Sequence, residues 1–406
     1  MKVAIAGYGV VGGGVAELLI KNADVIARSA GQPVELKSIL VRREYADDPY
    51  AAWMVRDFSV IEQDDEIDVL VETIGGCGAA LDYCRRALRA GKSVVTANKQ
   101  MVAEHGNELF ALAREHGCNF LFEASVGGGI PVLNPLTRCL GANTISEVSG
   151  ILNGTTNYIL TQMLENGADY ADALREAQAR GYAEADPTAD VEGIDAGRKA
   201  CILAGLAFGQ CVPPEQITME GISRITALDA AFAAAAGMKI KLLGRALARG
   251  GELYVFTAPH FIPQTQLLAS VSGVDNAILV RGSAVGTVVF SGPGAGRYPT
   301  ASAVVGDVID IAKHPKRPQP CGWDAEGAWE LRTMDELPVR YFIRTSQTRD
   351  EAEQVLGKID WLPDQDGEHG GITAATTRRA LTESGLRLAA AWPVMGTEAS
   401  EETTWH

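Results

Sequence analysis

The sequence begins with MKVAIAGYGVVGGGV (residues 1–15), in which an apolar run leads into a glycine-rich loop. Residues 3–6 have the pattern of a buried β-strand, and Gly7, Gly9 and Gly12 have the spacing G-x-G-x-x-G. Between a strand and a helix, this spacing lets the backbone approach a pyrophosphate, which the helix N-terminus then stabilises. Because the strand and the helix accompany the glycines, the stretch predicts a dinucleotide-binding turn rather than a turn without a ligand.

The same alternation of strands and helices continues to about residue 125. Apolar runs typical of strands lie at 36–41, 69–71, 94–96 and 120–122, and helical patterns lie at 11–27, 79–90 and 103–116. Such alternation indicates a parallel sheet with helices on both faces, and near-continuous apolar strands fit a sheet covered on both sides. The predicted fold class is α/β, with a Rossmann-type doubly wound parallel sheet over residues 1–130.

The rest of the chain has a different pattern, which predicts two further α+β domains. Residues 131–299 mix strands with longer helices, and a helical pattern follows at 300–313. The prolines of HPKRPQPCG (314–322) then predict a linker. A small unit over 338–396 has the order strand, helix, strands, helix, strand, and the acidic residues 397–406 are expected to form a frayed tail.

Composition and charge argue against several classes of protein. The 406 residues are 47% hydrophobic and 21% charged, which supplies enough apolar material for a core and argues against disorder. The net charge of −15 argues against a nucleic-acid-binding surface. No apolar run reaches the ~18 residues of a membrane span, and the N-terminus does not have the layout of a signal peptide.

The cysteines indicate a reducing compartment. There are seven, an odd number, and no pair has the spacing C-x-x-C. This argues against a disulfide framework and against a structural zinc site. We therefore expect a cytoplasmic protein, with no membrane and no nucleic acid among its partners.

The residues after the second predicted strand bear on the type of coenzyme. The strand ends in LVRRE (40–44), at the position where an acidic residue would bind the ribose 2′-hydroxyl of NAD. Arg42 and Arg43 instead suit a 2′-phosphate, so NADP is expected. Glu44 leaves NAD open as an alternative, and the interpretation without a ligand is a solvated Arg-Arg-Glu turn.

Two lysines and a group of carboxylates lie where a reaction centre is expected. Lys99 follows the fourth predicted strand, at the ligand edge of a doubly wound sheet. In GYAEADPTADVEGIDAGRK (181–199), five carboxylates lead into an apolar helix, and Asp195 and Lys199 share one helix face. A polar cluster at the start of a buried helix suggests a site. The alternative is a surface lysine together with an acidic helix cap and one ion pair.

Two further stretches have chemistry that the pattern alone leaves open. EASVGGGIP (123–131) could present backbone carbonyls to a cation, or it could be a hinge between domains. GILNGTTNY (150–158) predicts a strand-to-helix turn, whose N–H groups at Asn153, Gly154 and Thr155 could hold a substrate carboxylate. An ordinary helix cap explains this second stretch equally well.

Taken together, these segments resemble the homoserine dehydrogenase family. The matching motifs are GYGVVGGGV, VETIGG (71–76), VVTANK (94–99), EASVGGGIPV, GILNGTTNYIL, GYAEADPTADVEGIDAGRK and GPGAGRYPTASAV (292–304), in the family's order over residues 1 to about 313. The resemblance implies the reversible reduction of L-aspartate 4-semialdehyde to L-homoserine with NAD(P)H. This reaction is a branch point toward threonine, isoleucine and methionine.

The resemblance also implies roles for individual residues. Lys199 is the expected acid/base with Lys99 assisting it, and Asp195 would orient them. Expected substrate contacts are Glu184, which would bind the ammonium group, Asp190, Asn153, Gly154 and Thr155. Expected cofactor contacts are Gly7, Gly9, Val10, Val11, Gly12, Arg42, Arg43, Thr73, Gly75, Asn98, Lys99 and Gly296. A structural monovalent cation, expected to be sodium, would be bound by Glu123, Val126, Gly128 and Ile130, mostly through backbone oxygens.

The same resemblance implies how the domains are used. Residues 131–299 would form a substrate-binding and dimerisation domain, and residues 300 to about 320 would pack back on residues 1–130. Expected partners are a small amino-acid substrate and further copies of the chain, in a homodimer or homotetramer. Residues 338–396 weakly resemble an ACT-type regulatory module, although SQTR (346–349) replaces its usual glycine turn. Threonine feedback through this unit is a hypothesis, and a role in assembly alone is the alternative.

One residue departs from the family pattern, and two other functions stay open. Arg297 stands where the family has glycine, and it would either crowd the cofactor or add a positive contact. A related semialdehyde dehydrogenase would need a nucleophilic cysteine, but Cys77 and Cys139 have no recognisable base motif nearby. The other alternative is a catalytically silent NADP-binding regulatory protein, against which the complete set of lysines and carboxylates argues.

Overall fold

The computed structural model describes residues 1–315, 323 and 328–396, which form two compact units. The first unit comprises Met1–Gly141, Gly205–Pro213 and, within the described residues, 292–315 with Trp323. The second comprises Ala142–Ala204, Pro214–Ser291 and residues 328–396. Most of the predicted linker and all of the predicted tail at 397–406 lie outside the described residues.

The first unit is built on a six-stranded sheet. Its strands are β1 (Lys2–Ala6), β2 (Glu35–Leu40), β3 (Met54–Val55), β4 (Val69–Glu72), β5 (Ser93–Thr96) and β6 (Phe120–Leu121). The order is β3-β2-β1-β4-β5-β6, and each neighbouring pair is parallel. The helices between the strands are α1 (Val10–Lys21), α2 (Ala23–Ala30), α3 (Ser59–Glu62), α4 (Ala79–Arg89) and α5 (Lys99–Glu115). The prediction of a doubly wound parallel sheet is confirmed.

The single helix predicted at residues 11–27 is wrong, because the chain forms two helices there. Asn22, with φ of −107° and ψ of 19°, separates α1 from α2. Its N–H donates to the carbonyl of Leu18 and its own carbonyl accepts from the N–H of Ile26, so it ends one helix and starts the next. Asparagine is a weak helix former, and an apolar pattern that continues on both sides of it conceals such a break.

The second unit is built on a seven-stranded sheet. Its strands are β7 (Ile145–Ile151), β8 (Thr218–Met219), β9 (Met238–Arg249), β10 (Glu252–Pro263), β11 (Asp275–Gly282), β12 (Gly286–Pro293) and β13 (Glu330–Arg332), in the order β12-β11-β7-β9-β10-β13 with β8 beside β10. The helices in this part of the sequence are α6 (Gly154–Asn166), α7 (Tyr170–Ala179), α8 (Thr188–Val191), α9 (Ile194–Phe208) and α10 (Ala227–Ala235). The β9–β10 hairpin turns at Gly250 and Gly251, whose φ angles of 57° and 88° suit glycine.

A helix from late in the sequence completes the first unit. This helix, α11 (Arg297–Lys313), packs along α1, and its Val304 and Val308 lie in one core with Val15. A Cβ atom at Gly14 would lie 2.9 Å from the carbonyl oxygen of Arg297, so glycine is what allows the two helices to approach this closely. The glycine run after β1 therefore serves helix packing as well as the loop.

The C-terminal part of the second unit contains a smaller sheet. Its elements are β14 (Tyr341–Thr345), α12 (Arg349–Leu356), β15 (Ile359–Trp361), β16 (His369–Thr373), α13 (Arg378–Glu383) and β17 (Leu388–Pro393). The strands pair antiparallel in the order β15-β16-β14-β17, a βαββαβ arrangement of the ferredoxin-like type. Where the glycine turn is missing, the hydroxyl of Thr348 accepts from the N–H of Glu351 and caps α12. The resemblance to an ACT-type module stays a prediction.

Within 1–315 and 328–396, no helix is long and apolar enough to cross a membrane. Among the cysteines of these ranges, Cys84, Cys118, Cys139 and Cys211 are free thiols.

Candidate active site

The loop between β1 and α1 is closed by contacts that glycine alone allows. Gly7 has a φ of 103°, and a Cβ atom there would lie 3.0 Å from the carbonyl of Thr73. A Cβ atom at Gly12 would lie 2.0 Å from the carbonyl oxygen of Gly7. At Gly9, by contrast, a Cβ atom would meet no described atom within 4 Å. Gly7 and Gly12 thus shape the turn, while Gly9 leaves open space before α1, where the sequence predicts the pyrophosphate.

A buried carboxylate, Glu72, organises the neighbouring loop after β4. Its Oε1 atom accepts from the N–H groups of Ile74 at 2.7 Å and Gly75 at 3.0 Å. Its Oε2 atom accepts from the hydroxyl of Thr96. Burial raises the pKa of Glu72, and these hydrogen bonds oppose that rise. Sequence reasoning did not single out Glu72, although an acid that ends an apolar strand in VETIGG was a visible signal.

Three of the predicted cofactor residues lie together around this loop. The hydroxyl of Thr73 donates to the carbonyl of Gly7 at 3.0 Å, which joins the β4 loop to the glycine turn. The side-chain amide of Asn98 donates to the carbonyl of Gly76 at 2.6 Å, and its oxygen caps α5 at Met101. The carboxyl ends of β1, β4 and β5 therefore form one continuous edge, as expected for a ligand site in a doubly wound sheet.

Arg42 and Arg43 follow β2 and are exposed. The guanidinium group of Arg43 lies 5.0 Å from the ring centre of Tyr45, and its Nε atom donates to the Tyr45 hydroxyl at 3.0 Å. The carboxylate of Glu44 forms an ion pair with Arg56 at 3.2 Å. This ion pair is exposed and uses one of the two carboxylate oxygens of Glu44.

Arg297, the departure from the family pattern, begins α11 beside α1. Its guanidinium donates to the carboxylate of Glu17 at 3.1 Å, and the Tyr298 hydroxyl donates to the same oxygen at 3.1 Å. A Cβ atom at Gly13 would lie 3.4 Å from the guanidinium. The arginine therefore rests against the side of α1 and is paired with a carboxylate. The preceding residue, Gly296, has a φ of 118°, a backbone conformation that favours glycine.

The second unit holds a buried network around Lys199. The ammonium group of Lys199 donates to Oδ2 of Asp195 at 2.7 Å and to the carbonyl of Leu152 at 2.7 Å. The side-chain amide of Asn153 donates to the same Asp195 oxygen at 2.9 Å and to Oδ1 of Asp190 at 2.7 Å. Lys199, Asp195 and Asn153 are each less than 10% exposed. Four side chains and one backbone carbonyl, from two distant stretches of sequence, are thus joined by hydrogen bonds.

Local sequence explains how the two stretches meet. Asn153 caps α6, because its Oδ1 atom accepts from the N–H of Thr156 at 2.8 Å, and this leaves its amide hydrogens to the carboxylates. A Cβ atom at Gly154 would lie 2.6 Å from the carbonyl oxygen of Val274, so the turn requires glycine. The Thr155 hydroxyl donates to the carbonyl of Tyr182 at 2.6 Å, which ties the turn to the segment before α8.

Two other predicted residues are Glu184, in the second unit, and Lys99, in the first. Glu184 is exposed on the segment before α8, where its backbone carbonyl accepts from the side chain of Gln178 at 3.1 Å. Lys99 is the half-buried first residue of α5 in the first unit. Sequence reasoning named Asn153 as a substrate contact but did not predict its hydrogen bonds to Asp190 and Asp195. It missed Leu152, whose backbone carbonyl accepts from Lys199.

The predicted cation-binding stretch lies in the first unit. The Glu123 carboxylate accepts from the backbone N–H groups of Val132 at 2.6 Å, Leu133 at 2.8 Å and Asn134 at 2.7 Å. The backbone N–H of Glu123 donates to the carboxylate of Asp307 at 2.8 Å. Burial raises the pKa of Glu123, which the three N–H bonds oppose. Because backbone N–H groups use this carboxylate, a cation bound here would be offered the backbone carbonyl of Glu123, and the cation site stays a prediction.

Gly127 and Gly128 have φ angles of 72° and 57°, and Val126 and Ile130 are buried. A Cβ atom at Gly128 would lie 2.3 Å from the carbonyl oxygen of Gly294, so this turn approaches the loop before α11 closely. Among the described residues, sequence reasoning also missed Asp307. Burial raises its pKa well above the ordinary value, and the nearby Glu123 carboxylate raises it further.

These features define a class of protein. The first unit has the sheet order and the open glycine turn of a dinucleotide-binding domain. The second holds a lysine–aspartate pair whose lysine can give up or accept a proton. A chain that has both belongs to the dinucleotide-dependent oxidoreductases.

Comparison with known proteins identifies the family. The family model "Homoserine dehydrogenase" matches residues 131–309, and "Homoserine dehydrogenase, NAD binding domain" matches residues 7–123. A homoserine dehydrogenase of Pseudomonas aeruginosa is 48% identical over 316 residues, which cover 77% of this chain and 72% of that one. The chain therefore belongs to the homoserine dehydrogenase family, whose members are NAD(P)-dependent oxidoreductases of amino-acid biosynthesis.

Solved structures agree with this assignment. A homoserine dehydrogenase from Thiobacillus denitrificans has a TM-score of 0.89 at 36% identity, covering 97% of this chain and 98% of that one. A hyperthermophilic archaeal homoserine dehydrogenase in complex with NADPH has a TM-score of 0.66 at 28% identity, covering 77% of this chain and 98% of the other.

Proposed function

We propose that this homoserine dehydrogenase reduces L-aspartate 4-semialdehyde reversibly to L-homoserine, with Lys199 as the acid/base. The observation that supports this role is the buried network in which Asp195 and the Leu152 carbonyl fix the Lys199 ammonium group. An ammonium held in this way can donate a proton to the alkoxide that develops on the aldehyde oxygen. In the reverse direction, the neutral amine would take the hydroxyl proton of homoserine.

The coenzyme supplies, when bound, the hydride that reaches the aldehyde carbon. The protein would hold its pyrophosphate at Gly9, Val10 and Val11, next to Gly7 and Gly12, because the turn leaves open space in front of the N–H groups of α1. Thr73, Gly75, Asn98 and Gly296 border the same loops of the first unit. We assign Lys99, at the start of α5, a role in assisting the proton transfer.

The substrate would be recognised by charge at both ends. Asp190 and Glu184 are acidic, as binding of an ammonium group requires, and Asn153 orients Asp190 through the 2.7 Å hydrogen bond. The N–H groups of Gly154 and Thr155 open α6 and suit a carboxylate, because a helix N-terminus favours negative charge.

The preferred coenzyme would be NADP, with NAD also used. Arg42 and Arg43 are exposed at the end of β2, while Glu44 is engaged by Arg56. Two guanidinium groups can bind a 2′-phosphate through paired hydrogen bonds. The preference for NADP is therefore expected to depend on Arg42 and Arg43.

A sodium ion would bind to backbone oxygens of Glu123, Val126, Gly128 and Ile130. The left-handed turn at Gly127 and Gly128 supports this proposal. Residues other than glycine rarely adopt this backbone conformation, which changes the direction of successive peptide groups. Hard oxygen donors suit such a cation, and its role would be structural.

The predicted domains suggest how the protein assembles and how it is regulated. Residues 131–299 would bind substrate and form a homodimer or homotetramer, and residues 1–130 with the region from 300 to about 320 would bind the coenzyme. For the unit at 338–396, binding of threonine as an effector and a role in assembly alone stay the two hypotheses. The free thiols support a reducing, cytoplasmic location.

The test follows the absorbance of NADPH and of NADH with L-aspartate 4-semialdehyde, and the reverse reaction with L-homoserine. We expect turnover in both directions and a higher kcat/KM with NADPH. Binding of NADPH, seen by its fluorescence, without any oxidation by the aldehyde would contradict the proposal and would favour a catalytically silent protein.

A further inference from the structure

Residues 218–222, named here the bracing segment, pack against the turn that carries the candidate substrate site. The N–H of Glu220 donates to the carbonyl of Thr257 at 2.7 Å, which fixes the segment to β10. The N–H of Ile222 donates to the carbonyl of Val191 at 2.8 Å. The segment is thus bonded to the central sheet on one side and to the end of α8 on the other.

The bracing segment and the turn between α8 and α9 approach so closely that an added Cβ atom would collide. A Cβ atom at Gly221 would lie 1.9 Å from the carbonyl oxygen of Val191, and one at Gly193 would lie 2.8 Å from that of Glu220. A Cβ atom at Gly197 would lie 2.7 Å from the sulfur of Met219. In close-packed protein, a displacement of one surface is passed to its neighbour. Movement of the bracing segment would therefore move the backbone on both sides of Asp195.

A residue of the small C-terminal sheet region holds this segment in place. The guanidinium of Arg378, at the start of α13, donates to both carboxylate oxygens of Glu220, at 2.7 and 2.6 Å. The two side chains are only 23% and 12% exposed. A bidentate pair of this kind fixes orientation as well as distance. Arg224 also pairs with Glu220, but its side chain is 66% exposed.

We propose that Arg378 is a positioning residue for the reaction, acting through Glu220 and the bracing segment on Asp190, Asp195 and Lys199. The inference rests on the roles given to these three residues in the proposed function. It gives the C-terminal region a part in catalysis that requires no bound effector. Without the Arg378 pair, the bracing segment loses its most buried ionic contact, and the turn between α8 and α9 gains freedom.

The test compares Arg378→Met with Arg379→Met as the matched control. Arg379 is the next residue of the same helix, but it pairs with Glu336 at 3.0 Å within the C-terminal region. Per folded molecule, we expect Arg378→Met to lower kcat about 10-fold or more, since small misplacements of reacting groups are costly. Arg378→Lys should recover part of this loss. The Kd for NADPH, which the first unit binds, should change less than twofold in all three variants.

A readout without turnover separates this inference from the proposed function. Amide hydrogen exchange across residues 188–199 should be faster in Arg378→Met than in Arg379→Met, whether or not the aldehyde is the substrate. Gly221→Ala should also speed exchange there and lower kcat, while Gly306→Ala, where a Cβ atom has open space, should do neither. Equal exchange and equal kcat in the two arginine variants would overturn the inference. An inactive wild type would contradict the proposed function alone, and exchange would then decide the inference.

Discussion

The cofactor turn and the substrate network are constructed in opposite ways. The turn at Gly7–Gly12 is made of backbone, and its shape depends on residues without side chains. The network at Asn153, Asp195 and Lys199 is made of buried polar side chains, each held by at least two hydrogen bonds. The first presents open space to a ligand, whereas the second presents a charge whose position is fixed.

The difference teaches where each kind of site is vulnerable. A backbone turn fails through steric collision, because an added methyl group has nowhere to go. A buried polar network fails through loss of a partner, because the remaining polar groups stay desolvated. The two regions should therefore respond to different substitutions and to different solution conditions.

The largest effect should come from removing the fixed charge. Lys199→Met should lower kcat by ~10²-fold or more, as expected for loss of a general acid/base, and leave NADPH binding nearly unchanged. The matched control is Lys92→Met. Lys92 is equally buried and bonds to the carbonyls of Asp64 and Ile67, but it lies in the first unit away from the glycine turn. Stopped-flow measurement of hydride transfer would show the effect, and equal kcat in both variants would refute the acid/base role.

The next prediction distinguishes the glycine that is needed for the fold of the turn from the glycine that is needed for binding of the ligand. Gly12→Ala should destabilise the first unit, because its Cβ atom would lie 2.0 Å from a carbonyl oxygen. Gly9→Ala should leave the melting temperature unchanged, but it should raise the Kd for NADPH about 10-fold or more, since the methyl group would occupy the phosphate's space. Calorimetry and fluorescence titration would test this pair. Unchanged NADPH affinity in a folded Gly9→Ala protein would place the pyrophosphate elsewhere.

A pH effect should arise in the second unit. His260 is buried. Its Nδ1 atom lies within hydrogen-bonding distance of the Ala258 carbonyl, and its Nε2 atom lies within that distance of Arg245. A neutral ring protonated at Nδ1 satisfies both contacts. Burial, together with the nearby positive charge of Arg245, lowers the pKa of His260 from 6.5 to about 3. Between these values the unfolded chain binds a proton that the folded chain does not. Stability is therefore complete above pH 6.5 and falls as the pH decreases, by at most ~1.4 kcal/mol per pH unit.

Urea unfolding at pH 7, 6 and 5 checks this expectation. Wild type should lose more stability between pH 7 and pH 5 than His260→Gln, whose side chain does not titrate. The variant should be the less stable of the two at pH 7, because a buried imidazole is lost. The same pH dependence in both proteins would show that folding does not lower the pKa of His260.

The smallest effect should be a change in coenzyme preference. Arg43→Ala should lower kcat/KM with NADPH about tenfold, or ~1.4 kcal/mol, and leave the value with NADH unchanged. NADH serves as the control within the same variant, since it has no 2′-phosphate. A parallel loss with both coenzymes would assign Arg43 to the fold of the loop instead.

The sequence allowed the turn to be predicted better than the network. The G-x-G-x-x-G spacing and the i,i+4 relation of Asp195 and Lys199 are local, so periodicity and chain geometry reveal them. The Leu152 carbonyl lies 47 residues from Lys199, and the Asn153 amide lies 42 residues from Asp195. Such contacts depend on how β7, α6 and α9 pack, which no local pattern encodes. The helix break at Asn22 was missed for the opposite reason, because a continuous apolar pattern outweighed one weak helix former.

The three consecutive glycines of α1 have a consequence for the evolution of this fold. Gly12 is required by the shape of the loop, and Gly14 is required by the close approach of helix α11. Selection on these positions would preserve glycine even in a descendant that no longer binds a nucleotide. In such a lineage, Gly9 is the position expected to drift first, and its identity would record whether the ligand is still used.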